Sequence, residues 1–134
     1  MSDYEFRGKR IDNGKWVRGN LIISIPEKGI LEGRHCHISP YEEAGMYRVH
    51  PETVCNATGL LDKNREKIFK GDIVRDEEGY IGLVYWHKEH ASFYWGQGQT
   101  FVHSDELEVI GNAYDNPELL EANHENQDRN AQSP

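Results

Sequence analysis

The stretch TGLLDKNREKIFKGDIV, residues 58–74, places two turn signals on either side of one short apolar segment. Asp62 and Asn64 are typical of a turn, because their side chains bond to nearby backbone amides and Asn tolerates the left-handed region. Gly71, between Lys70 and Asp72, supplies the backbone freedom for a second turn. The stretch therefore predicts two sharp reversals of the chain, with a short strand over EKIF between them.

The segments before this stretch also read as strands and turns. Asn13-Gly14 is the strongest short hairpin signal, since both residues accept positive φ in a type I′ turn. We predict strands over Arg7–Ile11 and Lys15–Ile25, and Pro26 ends the second strand because it cannot donate to a ladder. Further short strands are predicted around Ile30–Leu31, His35–Ile38, Tyr47–Val49 and ETVCNATG at residues 52–59.

The segments after the stretch continue in the same way. Asp76–Gly79 is an acidic turn, and the following strand places Gly82, Val84 and Trp86 on one face. HASFYW and the residues up to Asn112 supply the last strands. Because strands separated by turn signals recur about every 8–12 residues, we expect a small barrel or sandwich rather than a βαβ fold.

The best helical candidate is NPELLEANHE, which begins at Asn116, and Pro51-Glu52 also suits the start of one helical turn. Asn116 suits an N-cap, Pro117 suits the first helical position and Glu118 favours the positive end of the helix dipole. The residues beyond this segment are polar and lack apolar anchors. We therefore predict a short C-terminal helix and a polar, disordered tail over residues 121–134.

Composition bounds the class of protein. A chain of 134 residues is expected to form one domain or two small intertwined lobes, with a core that needs no metal or disulfide. Cys36 and Cys55 do not make a disulfide framework, so we expect a reducing, cytoplasmic location. No run of about 18 apolar residues predicts a membrane span, and MSDYEFRGKR lacks the apolar region of a signal peptide.

The charge is negative and uneven. The net charge is −8; residues 1–75 hold 13 basic and 11 acidic side chains, whereas residues 76–134 hold 2 basic and 12 acidic ones. The balance is therefore +2 in the first part and −10 in the second. Such a field repels phosphate backbones and disfavours nucleic acid as a partner of the second part.

Three segments together resemble one known family. They are FRGKRIDNGKWVRGNLI, HPETVCNATGLLDKNREKIFKGDIV and LEVIGNAYDNPELL, which span Phe6 to Leu120 and resemble the YopX family of bacteriophage and prophage proteins. The resemblance implies a mainly β fold with SH3-like barrel elements, a bacterial host cell, and no established activity or catalytic motif. We predict one such domain over residues 1–120, divisible into lobes of about 1–57 and 58–115.

One residue departs from the family pattern. Relatives usually carry Gly after the Asn of the DKN turn, whereas this chain has Arg65. Asn64 is therefore expected to take any left-handed conformation alone.

A small basic cluster near the N-terminus is the candidate binding site. Phe6 and Trp16 lie among its cations, so stacking and charge together suit a single nucleic-acid strand. The same residues also suit a solvated strand face, or contact with the acidic part of a neighbouring copy. The candidate partner-binding residues are Arg7, Lys9, Arg10, Trp16 and Arg18.

The RHCHI segment suggests a metal site, since His35 and His37 share one strand face while Cys36 points away. Additional ligands would have to come from His50, Cys55 or His103. No Cys-x-x-Cys or His-x-x-x-His spacing supports a site, so we predict neither metal nor cofactor. We interpret the segment instead as exposed strand histidines beside a small buried thiol.

The YWHKEHASFYW segment contains titratable groups at a predicted hairpin tip. His87, Glu89 and His90 suit acid–base chemistry, but no nucleophile has a supporting base. Its aromatic residues are expected to form the barrel core or an oligomer contact. We therefore predict a non-enzymatic protein-binding or assembly module whose partner is itself or another protein. The alternative is a nucleic-acid-associated accessory protein that uses the N-terminal basic face.

Overall fold

The computed structural model describes residues 5–24 and 35–121, which are mainly β as predicted. Two short 3-10 helices cover Pro51–Thr53 and Ser104–Glu106, and residues 118–121 are helical. The strands of the described part are β1 (Phe6–Lys9), β2 (Trp16–Ser24), β3 (His35–Ser39), β4 (Tyr47–Val49), β5 (Cys55–Leu61), β6 (Lys67–Phe69), β7 (Asp72–Arg75), β8 (Ile81–His87), β9 (Ser92–Trp95) and β10 (Glu108–Asn112).

Some predictions fall on other residues. The end of the second strand at Ile25–Pro26 and the strand at Ile30–Leu31 lie outside the described residues. So does the polar tail, apart from Glu121, which belongs to the helical segment. In the described part of the chain, no helix has the length and apolar content needed to cross a bilayer.

The chain divides into two compact units, Met1–Ala57 (unit 1) and Thr58–Pro134 (unit 2), and β5 crosses the boundary. In unit 1 the antiparallel strands lie in the order β4-β3-β2-β1-β5. β2 pairs with β1 as far as Gly19 and with β3 from Asn20 onward. The 3-10 helix between β4 and β5 allows the last strand to return to β1.

The end of β1 also approaches β4. Arg10 forms an isolated bridge with Val49, and the Ile11 amide donates to the Arg48 carbonyl over 3.0 Å. Strand pairing that closes a barrel is not found among residues 5–24 and 35–121. The described strands do not contradict an SH3-like arrangement.

The core of unit 1 lies on one side of this sheet. Cys36, Ile38 and Val49 are buried there, and the alternation of HCHIS and YRV places their neighbours on the other side. Partly buried residues complete the cluster: Phe6, Val17, Leu21 and Val54.

Unit 2 repeats this scheme with fewer strands. Its four-stranded sheet has the order β10-β7-β8-β9. The 3-10 helix Ser104–Glu106 precedes β10, which returns to lie beside β7. β6 neighbours the part of β5 that belongs to this unit. The buried cluster consists of Ile68, Val74, Val84, Trp95 and Leu107.

Two buried aspartate carboxylates stabilise the two turns within residues 58–74. Asp62, only 3% exposed, accepts the amides of Asn64 and Glu66 through Oδ1, each over 2.8 Å, and that of Val109 in β10 through Oδ2 over 2.9 Å. Asp72, 1% exposed, accepts the Phe69 amide over 2.7 Å. Each aspartate replaces water as the partner of backbone donors, so both predicted reversals are fixed by side chains.

The first hairpin forms as predicted, but the type I′ turn is wrong. Among the turn residues only Gly14 has positive φ, 71°, whereas Asn13 does not. The Arg10 amide donates to the Lys15 carbonyl over 2.9 Å, which leaves four residues in the loop. The Asn13 side chain instead accepts the Lys15 amide over 2.9 Å. A longer loop needs a single left-handed residue, and glycine supplies it.

The C-terminal helical segment starts without the predicted cap. The Asn116 side-chain oxygen accepts the amide of Asn112, at the end of β10, over 3.2 Å. The amides of Leu119 and Leu120 donate to the carbonyls of Asn116 and Pro117, each over 3.1 Å. Asn116 therefore closes the turn before the helix rather than capping its first amides.

The left-handed residue of the DKNR turn is Arg65, with φ 64°, rather than Asn64. The expectation for Asn64 is wrong. Asp62 Oδ1 accepts the Asn64 amide, and this bond places Asn64 one residue before the left-handed position. Arg65 then donates its own amide to the Asp62 carbonyl over 3.0 Å, which closes the turn.

We expect Arg65→Gly to stabilise the protein by about 1 kcal/mol, since glycine adopts the left-handed region without the strain of a β-carbon. Urea unfolding would measure the change. Arg65→Gln removes the same charge but keeps the β-carbon, so it should give no gain. Equal gains for both variants would assign the effect to charge and contradict the backbone explanation.

Candidate functional site: a basic face on unit 1

Cationic and aromatic side chains share the side of the unit 1 sheet that faces away from its core. Directly opposed residues of antiparallel strands lie on one face. Arg7 opposes Arg18, and Lys9 opposes Trp16. We call this surface the basic face; its members are Arg7, Lys9, Trp16, Arg18, His35, His37 and Arg48.

The β1–β2 part of the basic face is built around one indole ring. The Arg7 guanidinium carbon lies 4.8 Å from the centroid of the Trp16 ring, and Lys9 Nζ lies 5.4 Å from it. These distances are within the range of cation–π attraction. Arg7 is buried, whereas Arg18 is exposed. Two cations therefore pack against Trp16, and Arg18 carries positive charge to the surface.

The β3–β4 part extends the basic face with residues that the sequence-based site did not include. Arg48 is exposed and directly opposes His37, whose Nδ1 lies 3.4 Å from Ser24 Oγ. His35 and His37 are half-buried on one side while Cys36 is buried on the other, as predicted. The alternation in HCHIS and YRV places His37 and Arg48 away from the buried positions of their strands, but joining Arg48 to the site also requires the pairing of β3 with β2 and β4.

Arg10 does not join the other four predicted residues. It lies on the opposite side of the sheet, where its guanidinium carbon is 3.8 Å from the Tyr47 ring centroid. Its Nε and Nη2 donate to Asp12 over 2.9 and 2.6 Å. The hydrogen bond from Arg10 lowers the pKa of Asp12, and the acceptor Glu43 raises the pKa of the Tyr47 hydroxyl. Arg10 therefore belongs to a separate surface network.

The basic face is positive in an acidic protein. On its strands, the described residues include no aspartate or glutamate. Glu5, just before β1, is buried, and its carbonyl accepts the Ala57 amide over 2.8 Å. An anionic partner therefore meets arginine and histidine side chains without an exposed strand carboxylate between them.

The histidines and cysteines considered as metal ligands do not form a site in the described part of the chain. There, no group of three or more His, Cys, Asp or Glu side chains has the geometry to hold a metal ion. Cys55 Sγ instead donates to the Thr53 carbonyl over 3.3 Å. His50 lies 3.6 Å from Glu52, at the start of the first 3-10 helix.

The predicted hairpin tip between β8 and β9 is present, but its acid–base group is not assembled. The rings of His87 and His90 stack with centroids 4.3 Å apart, and His87 Nδ1 accepts the His90 amide over 3.1 Å. His90 Nδ1 lies 2.7 Å from the Tyr94 hydroxyl, a partner that the sequence reasoning missed. Among the described residues, Glu89 bonds to neither histidine.

The prediction that the aromatic residues form the core holds only in part. Trp95 is 5% exposed and belongs to the unit 2 core, whereas Trp86 is 45% exposed. Gly82 and Val84 are buried on the face predicted for Trp86, whereas Trp86, farther along the same strand, is exposed. Trp86 instead makes an edge contact with Phe93, with ring centroids 4.9 Å apart.

Fold and site together define a small, mainly β protein of two units with a basic, aromatic-supported sheet face. The family described as YopX protein matches residues 5–121, so the chain belongs to the YopX family. The crystal structure of protein EF1440 from Enterococcus faecalis is similar in fold: 20% sequence identity, TM-score 0.55, and coverage of 87% of this chain and 97% of that one. No curated protein matches the chain.

Proposed function

We propose that this chain is a non-enzymatic protein-binding module whose basic face binds an acidic segment of a partner protein. The observation that carries the proposal is the placement of Arg18 and Arg48 on strands β2 and β4 of one sheet face whose strands bear no described carboxylate. Exposed arginines suit this role because their planar guanidinium groups bind carboxylates in a bidentate manner.

An acidic protein segment is preferred to a nucleic-acid strand for two reasons. A base must stack on an open aromatic ring, but Arg7 and Lys9 already pack against Trp16. In addition, the net charge of −8 repels a long phosphate backbone more strongly than a short acidic peptide. Binding of single-stranded DNA is therefore an outcome of the test rather than the proposal.

Other parts of the proposal concern setting and chemistry. The resemblance behind the family assignment leads us to place the protein in the cytoplasm of a bacterial host, with a phage or prophage origin. Buried, free Cys36 and Cys55 suit that reducing compartment. The Nδ1 atoms of His87 and His90 are engaged within their own hairpin, which favours binding over catalysis.

The test compares two probes on the purified chain by fluorescence anisotropy: a Glu-rich peptide with one aromatic residue, and single-stranded DNA of equal charge. We expect the peptide to bind, and the variant R18E/R48E to bind it about tenfold or more weakly, a loss of about 1.4 kcal/mol. The control K70E/K88E makes the same charge change at two exposed positions of unit 2. It should bind the peptide with little change.

Two results would contradict the proposal. One is tighter binding of the DNA than of the peptide, which would favour a nucleic-acid accessory role. The other is an equal loss of peptide binding in R18E/R48E and K70E/K88E, because net charge rather than the basic face would then control binding.

A further inference from the structure

We propose that the acidic segment bound by the basic face is the turn Asp76–Gly79 of a second copy of this chain, so that copies associate head to tail. This inference rests on the proposed function and names its partner. The same chain carries both a cationic sheet face and a preformed anionic turn, so a second copy can supply the acidic segment.

The geometry of the turn presents two carboxylates to solvent. Asp76 Oδ1 accepts the amides of Glu78 and Tyr80 over 3.0 and 2.8 Å, and the Gly79 amide donates to the Asp76 carbonyl over 3.1 Å. Gly79 has φ 94°, which suits glycine. The turn is thus fixed by its own bonds, and ordering it on binding costs little conformational entropy.

The turn offers a partner two exposed carboxylates and a tyrosine side chain. Glu77 and Glu78 are exposed and, within residues 5–24 and 35–121, neither side chain has an ion pair or hydrogen bond. Tyr80 follows directly and is 51% exposed. Tyrosine is enriched at the centre of protein interfaces, and on the opposing surface Ile22, 38% exposed, supplies apolar contact area on β2.

Two other exposed or half-buried acidic groups already have cationic partners. Glu108 pairs with Arg75 and with Lys63, and the hydrogen bond from Arg75 lowers the pKa of Glu108. Asp12 pairs with Arg10. Asp105 and Glu106 form another exposed acidic pair in unit 2, and this pair serves as the matched control below.

The charge distribution favours a head-to-tail contact over a symmetric one. A symmetric contact that overlays one patch on its own copy would bring like charges together, whereas a head-to-tail contact joins two different patches. The first 75 residues carry a balance of +2 and the remainder −10. Unlike patches therefore attract while like patches repel, and association should continue beyond a dimer into a ring or an open chain of copies.

Sedimentation of the full chain at 0.15 M salt tests the proposal, because the repulsion between acidic copies is then screened beyond about 8 Å. We expect the unmodified chain to form species larger than a dimer as its concentration rises. R18E/R48E alone and E77K/E78K alone should each sediment as monomers.

Mixing the two variants gives the decisive measurement. Each variant keeps one intact patch, so an equimolar mixture should form a 1:1 dimer and nothing larger. This rescue cannot occur if either variant has simply failed to fold. The quadruple variant R18E/R48E/E77K/E78K, which exchanges the two charges, should recover at least part of the association.

Control variants separate patch from net charge. K70E/K88E and D105K/E106K change the charge by the same amounts as the two test variants, and both should associate as the unmodified chain does. The inference is overturned if the unmodified chain stays monomeric up to a concentration on the order of 100 μM, or if its association stops at a closed dimer. It is also overturned if D105K/E106K dissociates the copies and E77K/E78K does not.

Failure here is distinguishable from failure of the proposed function. A monomeric chain that still binds the Glu-rich peptide through Arg18 and Arg48 keeps the binding module but excludes a second copy as its partner. Loss of both results would remove the basic face as a binding site.

Discussion

Gly19→Ala is expected to destabilise unit 1 by about 4 kcal/mol, a loss large enough to unfold much of it. Gly19 is the residue at which β2 leaves β1 and begins to pair with β3. A β-carbon there would lie 2.1 Å from the Ser39 carbonyl oxygen and 2.9 Å from the Pro40 α-carbon. Because both neighbours are backbone atoms, no side-chain rotation can relieve the overlap.

Gly14→Ala is the matched control for this substitution. Gly14 has positive φ, but a β-carbon there would meet nothing within 4 Å. We expect a loss of about 1 kcal/mol from backbone strain alone. Urea unfolding followed by circular dichroism would measure both variants, and hydrogen exchange would localise the damage to unit 1. Similar losses for the two variants would show that close backbone approach at Gly19 is not limiting.

Asp62→Ala is the second large effect, an expected loss of about 3 kcal/mol in unit 2. The substitution removes three charge-assisted, partly buried bonds and leaves their amide donors without this acceptor; the Val109 amide in β10 lies farthest along the chain. Asp62→Asn keeps one acceptor oxygen, so it should lose less.

Asp76→Ala is the control that tests how much the burial of Asp62 contributes to the free energy of unfolding. Asp76 and Asp62 accept amides at the same two relative positions, two and four residues ahead. Asp76, however, lies in a more exposed turn and has no partner like Val109 among the described residues. We expect a loss of about 1 kcal/mol in the same unfolding assay. If Asp62→Ala costs no more than Asp76→Ala, the long-range bond does not stabilise unit 2.

Local features of this fold were predictable from the sequence. The turns at Asp62, Gly71 and Asp76 each contain a side-chain hydrogen bond that spans at most four positions, and this local part could be predicted. The bond from Val109 to Asp62 could not. The mainly β class followed from the spacing of these turns. The left-handed residue in the DKNR turn was mispredicted, because it is set by which amide Asp62 captures rather than by the tolerance of Asn64.

Features that depend on distant pairing were less accessible. The sequence identified Arg7, Lys9, Trp16 and Arg18 because they occupy one hairpin, but Arg48 joins them only through β3. Arg10 was grouped with them by proximity in sequence, although it lies on the other side of the sheet. These assignments require the register of four strands, which a single sequence does not contain.

The bond between Asp62 and the Val109 amide spans 47 positions, and the Lys63 amide likewise donates to the Leu107 carbonyl. The opening turn of unit 2 is thus bonded to β10 and to Leu107, the residue just before that strand. During translation the ribosome delivers the turn well before β10, whereas unit 1 can complete its pairing once β5 emerges. A nascent chain halted shortly before Leu107 should therefore hold a protease-resistant unit 1 and a protease-sensitive remainder.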